Sequence, residues 1–186
     1  MFQRLFTRTP PQFTACEQAR RQLPGGQPGA YAYGLSADGT VAVGRGLNSS
    51  SRNEAFRWTQ LTGMAGLSQL PNGSNSIAYA ASADGSVIVG EGLNASNYYE
   101  GFRWTQASGM VGLGRLPGGS TSNAYGVSSN GSVVVGIADD SAGQSRAFRW
   151  TQSGGMVSLG LLPGGSLFSA ASGVSADGSV VVGGAD

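Results

Sequence analysis

Short β-prone runs separated by glycine-containing turns make up most of the chain. The clearest example pairs residues 124–128 with residues 132–136 across Asn130-Gly131, and a tight Asn-Gly turn between two such runs predicts a hairpin. In the second run, Val133-Val134-Val135 does not alternate with polar residues. We therefore expect both faces of this strand to be covered, as in a sheet that lies between two others.

Two further strands are predicted after this hairpin. In residues 146–152, Phe148 and Trp150 fall on one face, because side chains alternate along a strand. A turn then leads into residues 156–160, which form the predicted fourth strand. Four antiparallel strands are the content of one β-propeller blade.

The same unit recurs along the chain with a step of 46 or 47 residues. Its landmarks are a Phe-Arg-Trp-Thr-Gln sequence, a Leu-Pro pair followed by glycine, and the Asp-Gly or Asn-Gly turn. The first landmark occurs at residues 56–60, 102–106 and 148–152 without a change of residue. A period in the forties is typical of propeller blades.

We therefore predict an all-β fold of tandem four-stranded antiparallel repeats of about 46 residues, arranged as a partial or open β-propeller. The repeat domain covers residues 24–186, as units 24–70, 71–116 and 117–162 and a half unit, 163–186. Closed propellers have roughly four to eight blades, so we expect an open arc whose uncovered terminal blades favour self-association. A β-solenoid is the alternative architecture, although its coils are normally shorter.

Composition narrows the functional classes. The 186 residues include 32 glycines and no histidine, and the formal net charge is +1. A nearly neutral chain gives no electrostatic reason to expect nucleic acid as a partner. Without histidine it lacks the most common general base and metal ligand, and no run approaches the roughly 18 apolar residues of a membrane span. We predict no cofactor.

Residues 1–23 match none of the repeats. Thr14 and Glu17 fit the capping box of a short helix from about Ala15 to Leu23, which Pro24 would end; a disordered segment is the alternative. Cys16 is the single cysteine, so it has no partner for an internal disulfide. No apolar run precedes it, and no signal peptide is readable.

The acidic or amide residue of each predicted hairpin turn is a candidate structural residue. Aspartate and asparagine before glycine suit the positive φ of tight turns. Calcium binding is the competing interpretation, but one carboxylate per turn is few for an ion that takes six to eight oxygen ligands. The four positions are Asp38, Asp84, Asn130 and Asp177.

The repeated tryptophan and arginine are also interpreted as structural. An identical tryptophan at the centre of a strand in every blade favours inter-blade packing over a sugar-stacking surface. We expect the arginine to pair with the hairpin aspartate or with a backbone carbonyl of its own or the adjacent blade, instead of forming a charged ring for an anionic polymer. These residues are Trp58, Trp104, Trp150, Arg57, Arg103 and Arg149.

The loops between the second and third strands differ most among the units, and loops of this kind commonly carry specificity. Their most distinctive residues, nominated as candidate binding residues, are Asn97, Tyr98, Tyr99, Asp139 and Asp140. A hydrolase or lyase acting on polysaccharide is the alternative, and would need paired carboxylates from Asp139, Asp140, Glu91 and Glu100. Nearly identical blades offer few unique residues, so we predict a binding module that is not an enzyme.

Across residues 24–186 the repeat resembles the HAF family of probable extracellular repeats, often found in bacterial secreted and autotransporter passenger proteins. The matching motifs are Ala-Phe-Arg-Trp-Thr, Gly-Met-x-x-Leu-Gly, Leu-Pro-Gly-Gly and Gly-Val-Ser-x-Asp-Gly. The histidine of the family name is replaced by Glu54, Glu100 and Arg146. The Ser-Ala-Asp-Gly turns also look like the Ser-Pro-Asp-Gly turns of bacterial WD40-like propellers.

The resemblance implies an extracellular or cell-surface location and a place within a larger secreted or passenger protein. It implies little about activity, because the family is defined by its repeat and not by a reaction. The uniform repeat, the nearly neutral charge and the lack of catalytic groups are what predict a binding or display module, with a polysaccharide or a host surface protein as the ligand. The resemblance names no catalytic residue and no cofactor.

Overall fold

The structure, a computed structural model, describes residues 22–165 and 167–186. These residues form 14 β-strands and no helix. Accordingly, this part of the chain contains no helix able to cross a membrane. Cys16 and most of the helix predicted for residues 15–23 lie outside the described residues, and Gln22 and Leu23 are not helical.

The strands form three four-stranded sheets and one hairpin. The first sheet contains β1 (Gln27–Leu35), β2 (Val41–Leu47), β3 (Asn53–Thr59) and β4 (Gly63–Gly66). The second contains β5 (Ser76–Ala81), β6 (Val87–Leu93), β7 (Tyr99–Thr105) and β8 (Gly109–Gly112). The third contains β9 (Ser122–Val127), β10 (Val133–Asp139), β11 (Ser145–Thr151) and β12 (Gly155–Gly160). The hairpin contains β13 (Ser169–Val174) and β14 (Val181–Ala185).

Each four-stranded sheet is an antiparallel meander in which every strand pairs with the next one along the chain. The predicted all-β fold of tandem four-stranded antiparallel repeats is therefore confirmed. The sheets are separate units joined by loops, and this arrangement is that of propeller blades and not of a β-solenoid.

The sheets stack so that their first strands converge. β1 contacts β5, β5 contacts β9, and β9 contacts β13. The first strand of each following sheet also packs against the second and third strands of the sheet before it. We call the edge formed by these four first strands the inner edge.

The hydrophobic core consists of separate clusters between neighbouring sheets. Val87 and Val89 are at most 4% exposed and belong to the cluster between the second and third sheets. Ile88, which lies between them in sequence, is fully buried in the cluster between the first and second sheets. The second strand is thus covered on both faces, which explains why its sequence does not alternate. Burying one such side chain contributes roughly 1.5–3 kcal/mol.

The repeated tryptophan lies in these inter-sheet clusters where a preceding sheet is present. Trp104 is 9% exposed and belongs to the cluster between the first and second sheets. Trp150 packs against the cluster between the second and third sheets. Trp58 occupies the same position on the first sheet and is half-buried. The buried position of Trp104 leaves no open ring face for a sugar.

The hairpin turns connect neighbouring sheets through backbone hydrogen bonds. The Ala37 amide donates to the Ala83 carbonyl, the Ala83 amide to the Ser129 carbonyl, and the Ser129 amide to the Ala176 carbonyl, each at 3.0 Å. The guanidinium groups of Arg57 and Arg103 add to this connection. Their Nε atoms donate to the turn carbonyls of the next sheet, those of Gly85 at 3.5 Å and Gly131 at 3.2 Å.

A buried serine at the start of each following first strand forms a second connection between sheets. The Ser122 hydroxyl accepts from the Gly101 amide at 3.0 Å and donates to the Gly114 carbonyl at 2.7 Å. Ser76 and Ser169 make the equivalent pairs of bonds. All three are at most 4% exposed, and each hydroxyl links a backbone amide and a backbone carbonyl of the preceding unit.

The turn residues act within their own hairpins. In the second sheet, Asp84 Oδ1 accepts from the Ser82 hydroxyl at 2.7 Å, the Ser86 amide at 3.0 Å and the Ser86 hydroxyl at 2.8 Å. The same bonds form at Asp38, Asp177 and, through its amide oxygen, Asn130. Within residues 22–165 and 167–186 no group of three or more histidine, cysteine or acidic residues could hold a metal ion.

The final hairpin exposes apolar positions that are buried elsewhere. Val180 and Val182 are 56% and 58% exposed. Their counterparts in the third sheet, Val133 and Val135, are 3% and 0% exposed. The difference arises because no further sheet packs on this face of β14 within the described part of the chain.

Gly131→Ala should destabilise the protein more than Gly39→Ala. Both glycines have φ of 71°, which costs an alanine about 1–2 kcal/mol. A Cβ on Gly131 would also lie 2.3 Å from Val87 Cγ2, whereas a Cβ on Gly39 would meet nothing within 4 Å. Overpacking typically adds about 1–3 kcal/mol. Thermal or denaturant unfolding of the two variants measures the difference, and equal losses would contradict the role of this glycine in sheet docking.

Acid should destabilise the protein through the turn aspartates. Hydrogen bonds from Ser86 and Ser82 lower the pKa of Asp84 to about 2, and those from Ser175 and Ser179 do the same for Asp177. Because the folded-state pKa lies below the usual aspartate pKa of 3.8, the stabilisation is present above that value and is lost as the pH falls towards 2.

The variant Asp84→Asn should weaken this acid dependence, and Asn130→Asp should strengthen it. Melting temperatures recorded from pH 5 to pH 2 test both variants. Since Asn130 makes the same bonds as Asp84 in its own turn, neither substitution should remove the turn. Parallel acid profiles for the wild type and both variants would show that these carboxylates do not control acid stability.

Candidate ligand-binding site

A row of tyrosines follows the inner edge. Tyr33, Tyr79 and Tyr125 occupy the same position in β1, β5 and β9. Their ring centroids are 5.9 Å and 5.6 Å apart, with the rings tilted or edge-to-face. Tyr33 and Tyr125 are 47% and 38% exposed. The rings therefore stabilise the contact between sheets and also present hydroxyl groups and ring edges to solvent.

A charged residue from each of the first two sheets lies against this row. Arg45 Nε donates to the Tyr33 hydroxyl at 2.9 Å, and the guanidinium group lies 5.1 Å from the centre of the Tyr31 ring. Glu91, at the equivalent position of β6, accepts from the Asn123 side-chain amide. Burial and the adjacent Glu91 carboxylate raise the pKa values of Tyr79 and Tyr125 above their usual value, so both phenols stay protonated at neutral pH.

A pocket of about 120 Å³ lies beside Glu91, between the first and second sheets. Its lining is mainly polar, and the Arg45 side chain reaches it indirectly by donating from Nη1 to Asn53 Oδ1 at 3.0 Å. The lining residues are Asn53, Asn75, Ser76, Ile77, Glu91, Gly92 and Tyr99. We call this site the junction pocket.

The candidate binding residues of the second sheet fall into two groups. Tyr99 lines the junction pocket together with Glu91. Asn97 and Tyr98 lie in the turn before it, where Asn97 has φ of 62° and the Tyr98 amide donates to Asn94 Oδ1 at 3.2 Å. Tyr98 is 48% exposed but does not line the pocket.

The two aspartates nominated in the third sheet stabilise loops. Asp139 Oδ2 accepts from the Thr121 hydroxyl at 2.7 Å and the Ser120 hydroxyl at 3.1 Å. Asp140 accepts from the amides of Ala142 and Gln144, and its other carboxylate oxygen lies 2.8 Å from Arg146 Nη2. Hydrogen bonds from the Gln144 and Ala142 amides and the charge of Arg146 lower the pKa of Asp140.

Asp140 also borders a second concavity, of about 390 Å³, against β12. Its remaining lining is mostly apolar, including Leu116, Pro117, Met156 and Val157. Because the only carboxylate there is already bound to two amides and an arginine, this concavity offers few free polar groups. The junction pocket is the better candidate.

The residues two positions before the repeated phenylalanine have structural partners. Glu100 Oε1 accepts from the Gly114 amide at 3.1 Å and Oε2 from the Asn94 side-chain amide at 3.0 Å. Glu54 accepts from the Ser68 amide at 3.2 Å. Arg146 donates instead to the Leu167 carbonyl at 2.9 Å. These side chains tie the third strand to loops at its edge.

Sequence reasoning missed most of the junction pocket. Of the lining residues, Tyr99 and Glu91 were nominated, whereas Asn53 and Asn75 were not. Arg45 and the three inner-edge tyrosines, which lie outside the lining, were not nominated either. A signal was available for the tyrosines, because they recur with the 46-residue step. No comparable signal marked Asn53, at the start of β3, or Asn75, just before β5.

Comparison with known proteins identifies the fold class. No protein-family model matches this sequence, and the search of curated proteins gave no match. Among solved structures, TolB from Acinetobacter baumannii aligns with a TM-score of 0.54 and 15% identity, over 73% of this chain and 34% of that one. A protein described as TolB from Agrobacterium tumefaciens aligns with a TM-score of 0.51 and 16% identity, over 71% of this chain and 49% of that one.

The likeness shows the fold alone, because the identities are so low. This chain spans about half of one TolB chain and about a third of the other. Together with the stacked four-stranded meanders, the comparison defines a repeat protein with an open, propeller-like arrangement of sheets.

Proposed function

We propose that this protein is a non-enzymatic binding or display module that acts outside the cytoplasm as a segment of a larger secreted or passenger protein. The observation that carries the proposal is that repeated and non-repeated side chains lie in different parts of the structure. Residues that repeat from sheet to sheet form turns, cores and sheet junctions. Four residues that differ from sheet to sheet, Asn53, Asn75, Glu91 and Tyr99, line the junction pocket.

The alternative, a hydrolase or lyase acting on polysaccharide, requires two carboxylates free to share a substrate. Asp139, Asp140 and Glu100 each accept hydrogen bonds that hold loops or strand edges in place. Glu91 is the only one of the four nominated carboxylates in the junction pocket. A lone carboxylate in a polar pocket suits recognition better than general acid–base catalysis.

The proposed location outside the cytoplasm rests on the resemblance to HAF repeats. That this chain belongs to the HAF family is itself part of the proposal. Ligands consistent with it are a polysaccharide or a host surface protein. The loops and the inner edge provide the contact surface, since they carry the exposed tyrosines and polar groups.

Binding without turnover is the expected behaviour of the folded 186-residue chain. We expect signal on a glycan array or on immobilised matrix and cell-surface proteins. We also expect no release of reducing ends or unsaturated products from polysaccharides. Absence of binding at high micromolar concentration would contradict the proposed function. Turnover that disappears in Asp139→Asn or Asp140→Asn would establish the enzyme instead.

The same proposal includes self-association of the chain through its exposed terminal surface. Val180 and Val182 of the final hairpin are 56% and 58% exposed, and Leu159 and Leu162, after the third strand of the third sheet, are 46% and 63% exposed. Leu113 and Leu116, the counterparts of the two leucines, are 6% and 5% exposed. An apolar surface beside an unpaired strand edge promotes association.

Light scattering at micromolar concentration should therefore give a mass above that of the monomer. Val182→Lys should shift the mass towards the monomer, because a charge in the exposed patch opposes burial. Val111→Lys is the matched control, since Val111 is 49% exposed on β8 of a complete sheet. A monodisperse wild-type monomer would refute self-association without affecting ligand binding.

A further inference from the structure

The polar lining of the junction pocket is specific to one pair of sheets. A shift of 46 residues carries Asn53, Asn75 and Glu91 onto Tyr99, Thr121 and Ile137. The second junction therefore has one aromatic, one hydroxyl and one aliphatic side chain at the places where the first has two carboxamides and a carboxylate. This difference is not required by the fold, because both junctions keep the same strand pairing and the same buried serine.

The chemistry of the lining matches that of a sugar ring. Each carboxamide both donates and accepts hydrogen bonds, and the carboxylate accepts them. A sugar hydroxyl does both, so adjacent hydroxyls can bind to one carboxylate and one carboxamide together. The Tyr99 ring, on a residue that is 46% exposed, adds an apolar surface for the C–H groups of a ring.

The charge of the lining restricts which sugar can bind. Glu91 is the only ionisable acid or base among the lining residues apart from the tyrosine phenol. Arg45 contacts Asn53 and Tyr33, and it is not itself a lining residue. An anionic ligand would meet the carboxylate at close range, where like charges repel.

The size of the pocket restricts how much of a ligand enters. Pockets for drug-sized molecules are about 300–1,000 Å³, and the junction pocket is about 120 Å³. It accommodates part of a single ring, and the rest of a longer ligand would lie along the exposed tyrosines of the inner edge.

We propose that the junction pocket binds one ring of a neutral or amino saccharide, recognised by Asn53, Asn75 and Glu91 and covered by Tyr99. This inference rests on the proposed binding function and names the ligand class and the site. A protein ligand is the competing possibility and is one outcome of the test.

The test titrates the full chain with neutral, amino and uronic acid oligosaccharides, followed by heteronuclear NMR. Neutral or amino saccharides should shift the side-chain amide signals of Asn53 and Asn75. Tyr99→Ala should weaken binding about fivefold to tenfold. Tyr98→Ala is the matched control, because Tyr98 is similarly exposed but outside the pocket, and it should bind like the wild type.

The variant Glu91→Gln tests whether the charge of Glu91, and not the shape of the pocket, excludes anionic sugars. This variant keeps an oxygen to accept from Asn123 and removes the repulsion, so it should raise the affinity for uronic acid oligosaccharides relative to neutral ones. Thermal melts of all the variants should stay within a few degrees of the wild type, because the exchanged groups lie outside the inter-sheet cores.

The remaining outcomes are distinguishable. Saccharide binding with equal losses in Tyr98→Ala and Tyr99→Ala, or with amide shifts only elsewhere, would overturn the pocket and leave the binding function intact. Preference of the wild type for uronic acid oligosaccharides would overturn the ligand class. Binding to a protein but to no saccharide would overturn this inference alone. No binding in any arm would overturn both this inference and the proposed function.

Discussion

The burial of the second strand between two neighbouring sheets is the interaction on which the rest of this structure depends. Val87, Ile88 and Val89 are nearly or completely buried, and successive side chains enter different inter-sheet clusters. Every sheet therefore needs its neighbours to cover its apolar faces, and stability accumulates junction by junction, as in other repeat proteins. Three features allow two sheets to approach closely enough for this burial. They are the turn glycines, the backbone hydrogen bonds between turns and the buried serines.

This dependence limits where the sequence is free to vary. A change in a turn glycine, a buried serine or a second strand alters a junction, and the three junctions use nearly the same residues. The second-to-third-strand loops contain neither the turn glycines nor the buried serines of the junctions. The same position of the second strand holds Arg45 in the first sheet, Glu91 in the second and Ile137 in the third. The first junction therefore differs from the second in side-chain chemistry, although the backbone pairing is the same.

Most of the carboxylates accept hydrogen bonds from groups close to them in the structure. The turn aspartates accept hydrogen bonds from neighbouring serines, threonines and amides, and Glu54 and Glu100 bind the backbone after the fourth strand. Because these groups are occupied locally, they are poor candidates for ligand or metal chemistry. Glu91 differs, since its partners Asn123 and Tyr79 come from the inner edge and its side chain also borders the junction pocket.

The sequence by itself determined the repeat, the four strands of each unit and the presence of covered second strands, because these depend on local period and turn chemistry. The Phe-Arg-Trp spacing and the Asn130-Gly131 turn were sufficient for that. The tertiary structure alone decided which side chains meet across a junction: Asn53, at the start of β3 in the first sheet, joins Asn75, Glu91 and Tyr99 of the second unit in one pocket. It also assigned Asp139 and Asp140 to loop stabilisation. The physical reason is that strand period is a property of adjacent residues, whereas the composition of a pocket depends on how separate sheets stack.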